Sequence, residues 1–322
     1  MFEIDRAVIE INGGCNYSCS MCPQDTRTGG RHKSFLKKMS LSDFESNVAD
    51  CAKHGLRVVN LDGSGEATLN RNLPEYIKIV KKYGCEAVIF SNGHKMEGQY
   101  MRDCVDAGLD FFRFSWIGYD VKAYDKWMHN RIGGSYEKTW DKVKAMQDYV
   151  TLTGSSCVVG TYHLITDNDN LDFELQHYQK LVETLGVKTE VWKMHNWSGV
   201  QDISESGVRS GEIKTCGRPF SPDVVIRAGG LDGKKGAVHP CCQVLGRDEE
   251  AVLGHTSENT IKEIWDGPAY TELRVQHTTG DYPDYCKSCD FLVDDPEVLV
   301  WTNHERDLYK MYGTEFDLDD FR

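Results

Sequence analysis

The sequence predicts an α/β fold, a parallel sheet of six strand–helix units followed by a smaller region bounded by cysteines. Three observations carry this. Strand-like and helix-like segments alternate through the first two-thirds of the chain. That rhythm stops near Ser204. Beyond it, a hairpin-like stretch lies between Cys216 and Cys241-Cys242. Strands separated by helices of this length pair in parallel through right-handed crossovers. The expected division is therefore residues 1–203 and 204–322.

Val8-Ile-Glu-Ile-Asn12 reads as the first strand, and Gly13-Gly14 breaks it. Ser42-x-x-Glu45 is a capping box for a helix carrying Phe44, Val48 and Ala52, with Gly55 as its stop. Leu56 to Leu61 is a second strand, Leu73 to Tyr83 a helix, and Ala87 to Phe90 a third strand. A helix through Cys104 ends at Gly108, and Phe111 to Phe114 is the fourth strand. A long helix covers about Ser135 to Tyr149. Cys157 to Ile165, Phe173 to Leu185 and Thr189 to Met194 give strand, helix and strand. Residues 222–239 read as a hairpin, and Thr260 to Trp265 as a helix.

Composition bounds the function. The chain has 322 residues, is 40% hydrophobic and 27% charged, and has no apolar run long enough to span a membrane. Its N-terminus is charged where a signal peptide needs an apolar core. Twelve cysteines without a secretion signal argue for metal rather than disulfides. A net charge of −13 disfavours nucleic acid, because phosphate binding relies on Lys and Arg.

Cys15-Asn-Tyr-Ser-Cys19-Ser-Met-Cys22 places three thiols on a loop beyond the C-terminal end of the first strand. Soft thiolates suit iron–sulfur clusters and zinc. Both want four cysteines, and the local count stops at three. A cluster held by three ligands keeps one iron free. Further on, Cys216, Cys241, Cys286 and Cys289 make a closed four-cysteine set for zinc or a fully ligated cluster, and spacing does not separate the two.

C-x3-C-x2-C after the first strand resembles the radical SAM enzymes, with Met21 where that family often has an aromatic residue. The resemblance implies a partial (β/α)6 TIM-like barrel. It also implies a [4Fe–4S] cluster on Cys15, Cys19 and Cys22, with S-adenosylmethionine (SAM) on the fourth iron. Such barrels place chemistry at the C-terminal strand ends. Ser64-Gly65-Glu66 after strand two is similar to the family's Gly-Gly-Glu, with Ser64 departing, and implies a contact to the SAM amino group. Ser91-Asn92-Gly93 after strand three is similar to the family's Ser/Thr-Asn-Gly. Ser115 resembles its ribose contact, and Arg131 is nominated for the SAM carboxylate.

The C-terminal pattern resembles the twitch/SPASM extension, a β-hairpin plus helix carrying an iron–sulfur cluster. It consists of a hairpin, Pro240-Cys241-Cys242, a Leu-Gly stretch, an Ile-Trp helix and Cys286-x2-Cys289. This implies one auxiliary [4Fe–4S] cluster on Cys216, Cys241, Cys286 and Cys289. Cys242 is the expected spare, though it and Cys241 can exchange roles.

On strand five, Cys157, Val159, Thr161 and His163 alternate with Val158, Gly160, Tyr162 and Leu164, and one set must face the barrel interior. His163, Tyr162, Asn168 and the Trp192/His195/Trp197 group are substrate-side candidates. Cys242 and Cys157 are candidate hydrogen donors, with a buried small residue as the plainer role. Cys51, Cys85 and Cys104 read as core.

The resemblance implies hydrogen abstraction from a C–H of a small polar substrate, giving dehydrogenation or epimerisation. A start of the cysteine loop at residue 15 leaves no room for a leader-peptide domain and tilts the expected substrate to an amino sugar, aminocyclitol or other carbohydrate. Modification of a ribosomal peptide is the alternative; a zinc-bearing binding protein on a degenerate barrel is one of another class. A flavodoxin or ferredoxin donor and a reducing cytoplasm are implied.

Overall fold

A computed structural model describes residues 2–24, 31–129, 133–204, 211–293 and 298–301. The strands are β1 (Arg6–Ile9), β2 (Val58–Asn60), β3 (Glu86–Ser91), β4 (Phe111–Ser115), β5 (Val158–Leu164), β6 (Lys188–Trp192), β7 (Asp223–Ile226), β8 (Ala237–His239), β9 (Gly254–His255) and β10 (Val298–Trp301). The helices are α1 (Leu41–Ala52), α2 (Leu73–Lys82), α3 (Gly98–Asp106), α4 (Val121–Trp127), α5 (Tyr136–Thr153), α6 (Leu171–Glu183), α7 (Ile261–Trp265), α8 (Pro268–Thr279) and α9 (Asp284–Lys287). No helix among the described residues is long and apolar enough to cross a membrane.

β1 to β6 pair in parallel in chain order, as strand–helix alternation requires. The expected hairpin forms, with β7 and β8 antiparallel in the register Val225↔His239. It does not stand apart from the barrel. β7 pairs in parallel with β1, so the sheet runs β10-β6-β5-β4-β3-β2-β1-β7-β8-β9. The C-terminal region thereby extends the edge from which the cysteine loop leaves.

α1 shows local sequence making structure. Its N-cap is Ser40, whose oxygen accepts the Asp43 amide at 3.0 Å, and not Ser42 of the predicted capping box. Both serines have an acid three residues on, but Ser40 has the extended backbone a cap needs and Ser42 already lies in the first turn. The helix buries Phe44, Val48 and Cys51 completely, each apolar side chain being worth about 1.5–3 kcal/mol. The helix expected from Thr260 starts with a capping box between Thr260 and Glu263.

In-register parallel pairing sorts the two sheet faces. Asn60 pairs with Val8 and Val88, and Val88 with Phe111, which pairs with Val158. Val58, Val88 and Phe111 form a small apolar cluster of their own, the barrel floor. Above it on the same face lie Asp62, Phe90, Arg113, Tyr162 and Glu190. Ala7, Val59, Ala87, Ile89, Phe112, Phe114, Val159 and Val191 face the helices and belong to the main core.

Candidate active site

The cysteine loop is fixed by backbone and side-chain ties from three directions. Ser18 N and Ser20 N donate to His129 O and Trp127 O just beyond and at the end of α4. Asn12 Nδ2 donates to Gly14 O and Glu66 O, both at 2.8 Å, and Gln24 Nε2 to Gly13 O and Ser64 O. The loop after β2 is thus laid against the loop after β1. Gly65 is required for that approach, since a Cβ there would meet Asn12 O at 2.1 Å.

Cys15, Cys19 and Cys22 are half-buried. Cys22 is close enough to act on the Cys15 thiol. The Cys15 thiol is pushed up to about 12 by burial first, then by Glu66 and Cys22. Asn92 Nδ2 donates to Asn16 Oδ1 at 3.0 Å and lies 4.0 Å from Cys15 Sγ. Asn16 Nδ2 and Ser64 Oγ are buried and meet no hydrogen-bond partner. A gathered thiol set beside unpartnered polar atoms and a side-chain-free glycine fits a cluster with a polar ligand.

Glu66 sits differently from a ligand-facing carboxylate. It is buried, and its oxygens accept from Thr68 N (2.9 Å), Thr68 Oγ1 (2.6 Å), Ser91 Oγ (2.6 Å) and Asn92 N (2.9 Å). It clamps the loop after β2 to the loop after β3. Ser91 and Asn92 are thus brought beside the cysteine loop through Glu66. Ser115 ends β4 on the interior face, and Arg131 lies outside the described residues.

In the C-terminal region, Cys216, Cys241, Cys286 and Cys289 line one cavity, joined by Arg218 and Phe291. Burial and the neighbouring thiols raise Cys241 and Cys289 to about 12, and Cys286 further. Four such thiols become thiolates together only around positive charge, which a metal cluster supplies. No three Cys, His, Asp or Glu side chains among the described residues converge on one point as a single-ion site needs. Cys242 is outside the lining; its Sγ receives Arg218 Nη1 at 3.6 Å and Gln243 Nε2 at 3.9 Å. Cys51, Cys85 and Cys104 are buried in the core, as expected.

Two nominated residues face the wrong way. His163 lies on the helix side of β5: its Nε2 donates to Glu174 Oε1 at 2.8 Å, its Nδ1 accepts from Gly118 N, and its ring stacks on Tyr178 at 4.4 Å. It is a satisfied core histidine. Cys157, on the same alternation, is 4% exposed and close to Cys104 of α3. Asn168 is exposed on a 3-10 turn. Tyr162 and Trp192 are on the interior face, their rings 5.9 Å apart.

His195 is buried between Trp197 and Phe291, so it abuts the four-cysteine cavity. Its segment joins the two cysteine sites. Trp197 Nε1 donates to Met21 O at 2.7 Å, Ser198 Oγ to Gln243 O, and Asn196 Nδ2 to Ser288 O. Trp197 and Ser198 have φ of 49° and 56°, a left-handed backbone that packing must impose.

The radical SAM superfamily profile matches residues 9–173, more than half of the chain. The chain belongs to the radical SAM superfamily. The SPASM iron–sulfur cluster-binding domain profile matches residues 233–290. A [4Fe–4S] cluster, SAM and auxiliary iron–sulfur binding follow from these matches. The solved structure of BtrN with AdoMet and 2-DOIA is similar in fold (TM-score 0.58, 17% identity, 89% of this chain and 92% of that one). So is Streptococcus suis SuiB bound to precursor peptide SuiA (TM-score 0.65, 12% identity, 91% and 72%). A protein of Sulfolobus acidocaldarius described as “Probable GTP 3',8-cyclase” is 30% identical over 109 residues, 34% of this chain and 33% of its own. This chain spans about a third of the length of that relative.

Proposed function

We propose that this radical SAM enzyme dehydrogenates a hydroxyl-bearing carbon of a small polar substrate, an amino sugar, aminocyclitol or related carbohydrate. The observation that carries the reading is the four-cysteine cavity of the C-terminal region. A cluster there would have every iron held by protein, with no site for SAM, which suits it to receive an electron rather than to cleave a sulfonium. When bound, the first cluster and SAM supply a 5′-deoxyadenosyl radical that takes a hydrogen atom from substrate.

The chain's own residues do the rest. Cys15, Cys19 and Cys22 would hold the first cluster. Gly65 lets SAM approach the backbone, Glu66 positions Ser91 and Asn92, and Ser115 and Arg131 would meet the ribose and carboxylate. Cys216, Cys241, Cys286 and Cys289 would hold the second cluster, with Arg218 beside it. The interior row of Asn60, Asp62, Arg113, Tyr162 and Glu190 supplies polar contacts suited to a hydroxylated molecule. A flavodoxin or ferredoxin is the proposed donor. The overlap with BtrN over 89% of this chain and 92% of that one, in a structure that holds 2-DOIA, supports the small-molecule reading; the peptide bound to SuiB supports peptide modification as the second.

Epimerisation remains the second outcome for the same substrate, because Cys242 is a thiol outside the cavity lining. Anaerobic incubation with SAM, dithionite and a panel of amino sugars, cyclitols and short peptides tests the proposal. Carbohydrate-dependent 5′-deoxyadenosine with a ketone product supports it. Stimulation by peptides alone, or inverted carbinol with no ketone, contradicts it.

A further inference from the structure

Asn60 at the end of β2 and Asp62 just beyond it interact through their side chains, and each leaves one buried acceptor oxygen without a hydrogen-bond partner. Asn60 is 3% exposed, and its Oδ1 is buried with no hydrogen-bond partner. Asp62, two residues on and so on the same face, has its Oδ1 in the same condition. An unsatisfied buried acceptor costs about 1–3 kcal/mol, and two residues apart on the same face there are two. Leu61 between them points into the helix-facing core.

The wall around this pair is already neutralised. Arg113 Nη1 meets Glu190 Oε2 at 2.6 Å, and its guanidinium lies 3.5 Å from the Phe90 ring and 4.1 Å from the Tyr162 ring. That cation is therefore engaged on three sides. Burial pushes the Asp62 carboxyl up to about 7, against the pull of Arg113. The pair lies just before Gly63-Ser64-Gly65, the loop that packs on the cysteine loop, so a substrate group held here would stand close to SAM.

We infer that Asn60 and Asp62 form the subsite for the reacting hydroxyl of the substrate, and that Asp62 takes the hydroxyl proton. This deepens the dehydrogenase reading and rests on it. The step balances. The carbinol hydrogen atom leaves with the 5′-deoxyadenosyl radical as 5′-deoxyadenosine. The hydroxyl O–H bond breaks and its proton goes to the Asp62 carboxylate. The remaining electron goes to a one-electron acceptor, the auxiliary iron–sulfur cluster, and the C=O bond of a ketone forms. A base beside the hydroxyl contributes typically 10²–10⁴-fold.

The test uses reconstituted holoenzyme with SAM, dithionite and carbinol-deuterated scyllo-inositol, streptamine and glucosamine. The readout is ketone formed per deuterium transferred into 5′-deoxyadenosine. This ratio is independent of how much protein folds. Wild type should approach one with at least one probe. Asp62→Asn should lower the ratio by about 100-fold or more, and Asp62→Glu should recover most of it. Asn60→Leu should raise KM for the probe with a smaller change in kcat. An unchanged ratio in Asp62→Asn overturns the Asp62 assignment and leaves the dehydrogenase reading standing. No deuterium transfer from any probe in wild type overturns both.

Discussion

Arg31 Nη1 stands 2.8 Å from Glu10 Oε2, and both side chains are buried. Arg31 Nη2 also meets Asp248 Oδ1 at 2.9 Å, so one side chain joins the end of β1 to the C-terminal region. Arg227 lies 3.7 Å from Glu10 and 3.8 Å from Asp248, closing a four-charge cluster. Glu10 also accepts from Ser64 N at 3.0 Å, and Arg227 Nη2 reaches Cys242 O at 3.5 Å. The cluster therefore touches the loops of both cysteine sites. Arg31→Met should cost about 3–5 kcal/mol, because it removes one of the two cations beside two buried carboxylates and leaves them to the longer contacts of Arg227. Adding Glu10→Leu should recover part of that loss. Denaturant unfolding of the reconstituted proteins measures both.

Asp62 gives a pH signature. Its folded value is raised to about 7, from an ordinary value of 3.8, by burial. The charged groups around it are Arg113, which favours its ionised form, and Glu66, which opposes it. Glu190 and Arg227 stand behind Arg113 and Gly63. A raised carboxyl destabilises the fold as pH rises from the unfolded value through the folded one, and the full cost is present above about 7. Asp62→Asn should accordingly raise Tm at pH 8 by about 2–4 °C, with a smaller gain at pH 6. Calorimetry at the two pH values checks the sign.

The four donors on Glu66 predict a positioning role. Glu66→Gln turns an NH2 toward hydrogen-bond donors and should weaken SAM binding about 10-fold or more through the loops it joins. Ser91→Ala, which removes one of the four bonds, should reproduce about 1 kcal/mol of the effect. If the carboxylate instead held the SAM ammonium directly, Ser91→Ala would leave SAM affinity unchanged. Equilibrium SAM binding separates the two.

Cys241 and Cys242 are adjacent in sequence but differ in place. Cys241→Ala should remove about four irons per chain, and Cys242→Ala should remove none. Cys157→Ala should lower stability by about 1 kcal/mol as a small core truncation and leave product stereochemistry unchanged, because that thiol faces the helices. Iron analysis and product chirality are the readouts.

The cysteine loop was legible because three ligands fall within eight residues. The six-strand alternation was legible for a similar reason: it is local. What was not legible was which face of β5 is the interior. Both faces of a parallel strand are buried, so alternation alone cannot tell His163 from Tyr162, and only the register with β4 and β6 does. Arg31 and Asp248 are 217 residues apart, and neither belongs to a motif. Asn12 and Gln24 were passed over for a related reason, since their amides bond to backbone carbonyls and leave no sequence pattern. The α1 cap was misplaced by two residues because Ser40-x-x-Asp43 and Ser42-x-x-Glu45 overlap, and the backbone alone chooses between them.

The proposed chemistry depends on two iron–sulfur clusters of different duty in one chain. Iron and sulfide per chain, measured on anaerobically reconstituted protein beside a Cys15/Cys19/Cys22→Ala triple variant with SAM and dithionite, tests it most directly. The predicted result is about eight irons falling to about four, with 5′-deoxyadenosine formed by wild type alone. Four irons or fewer in wild type with zinc at Cys216, Cys241, Cys286 and Cys289, or 5′-deoxyadenosine from the triple variant, would contradict it.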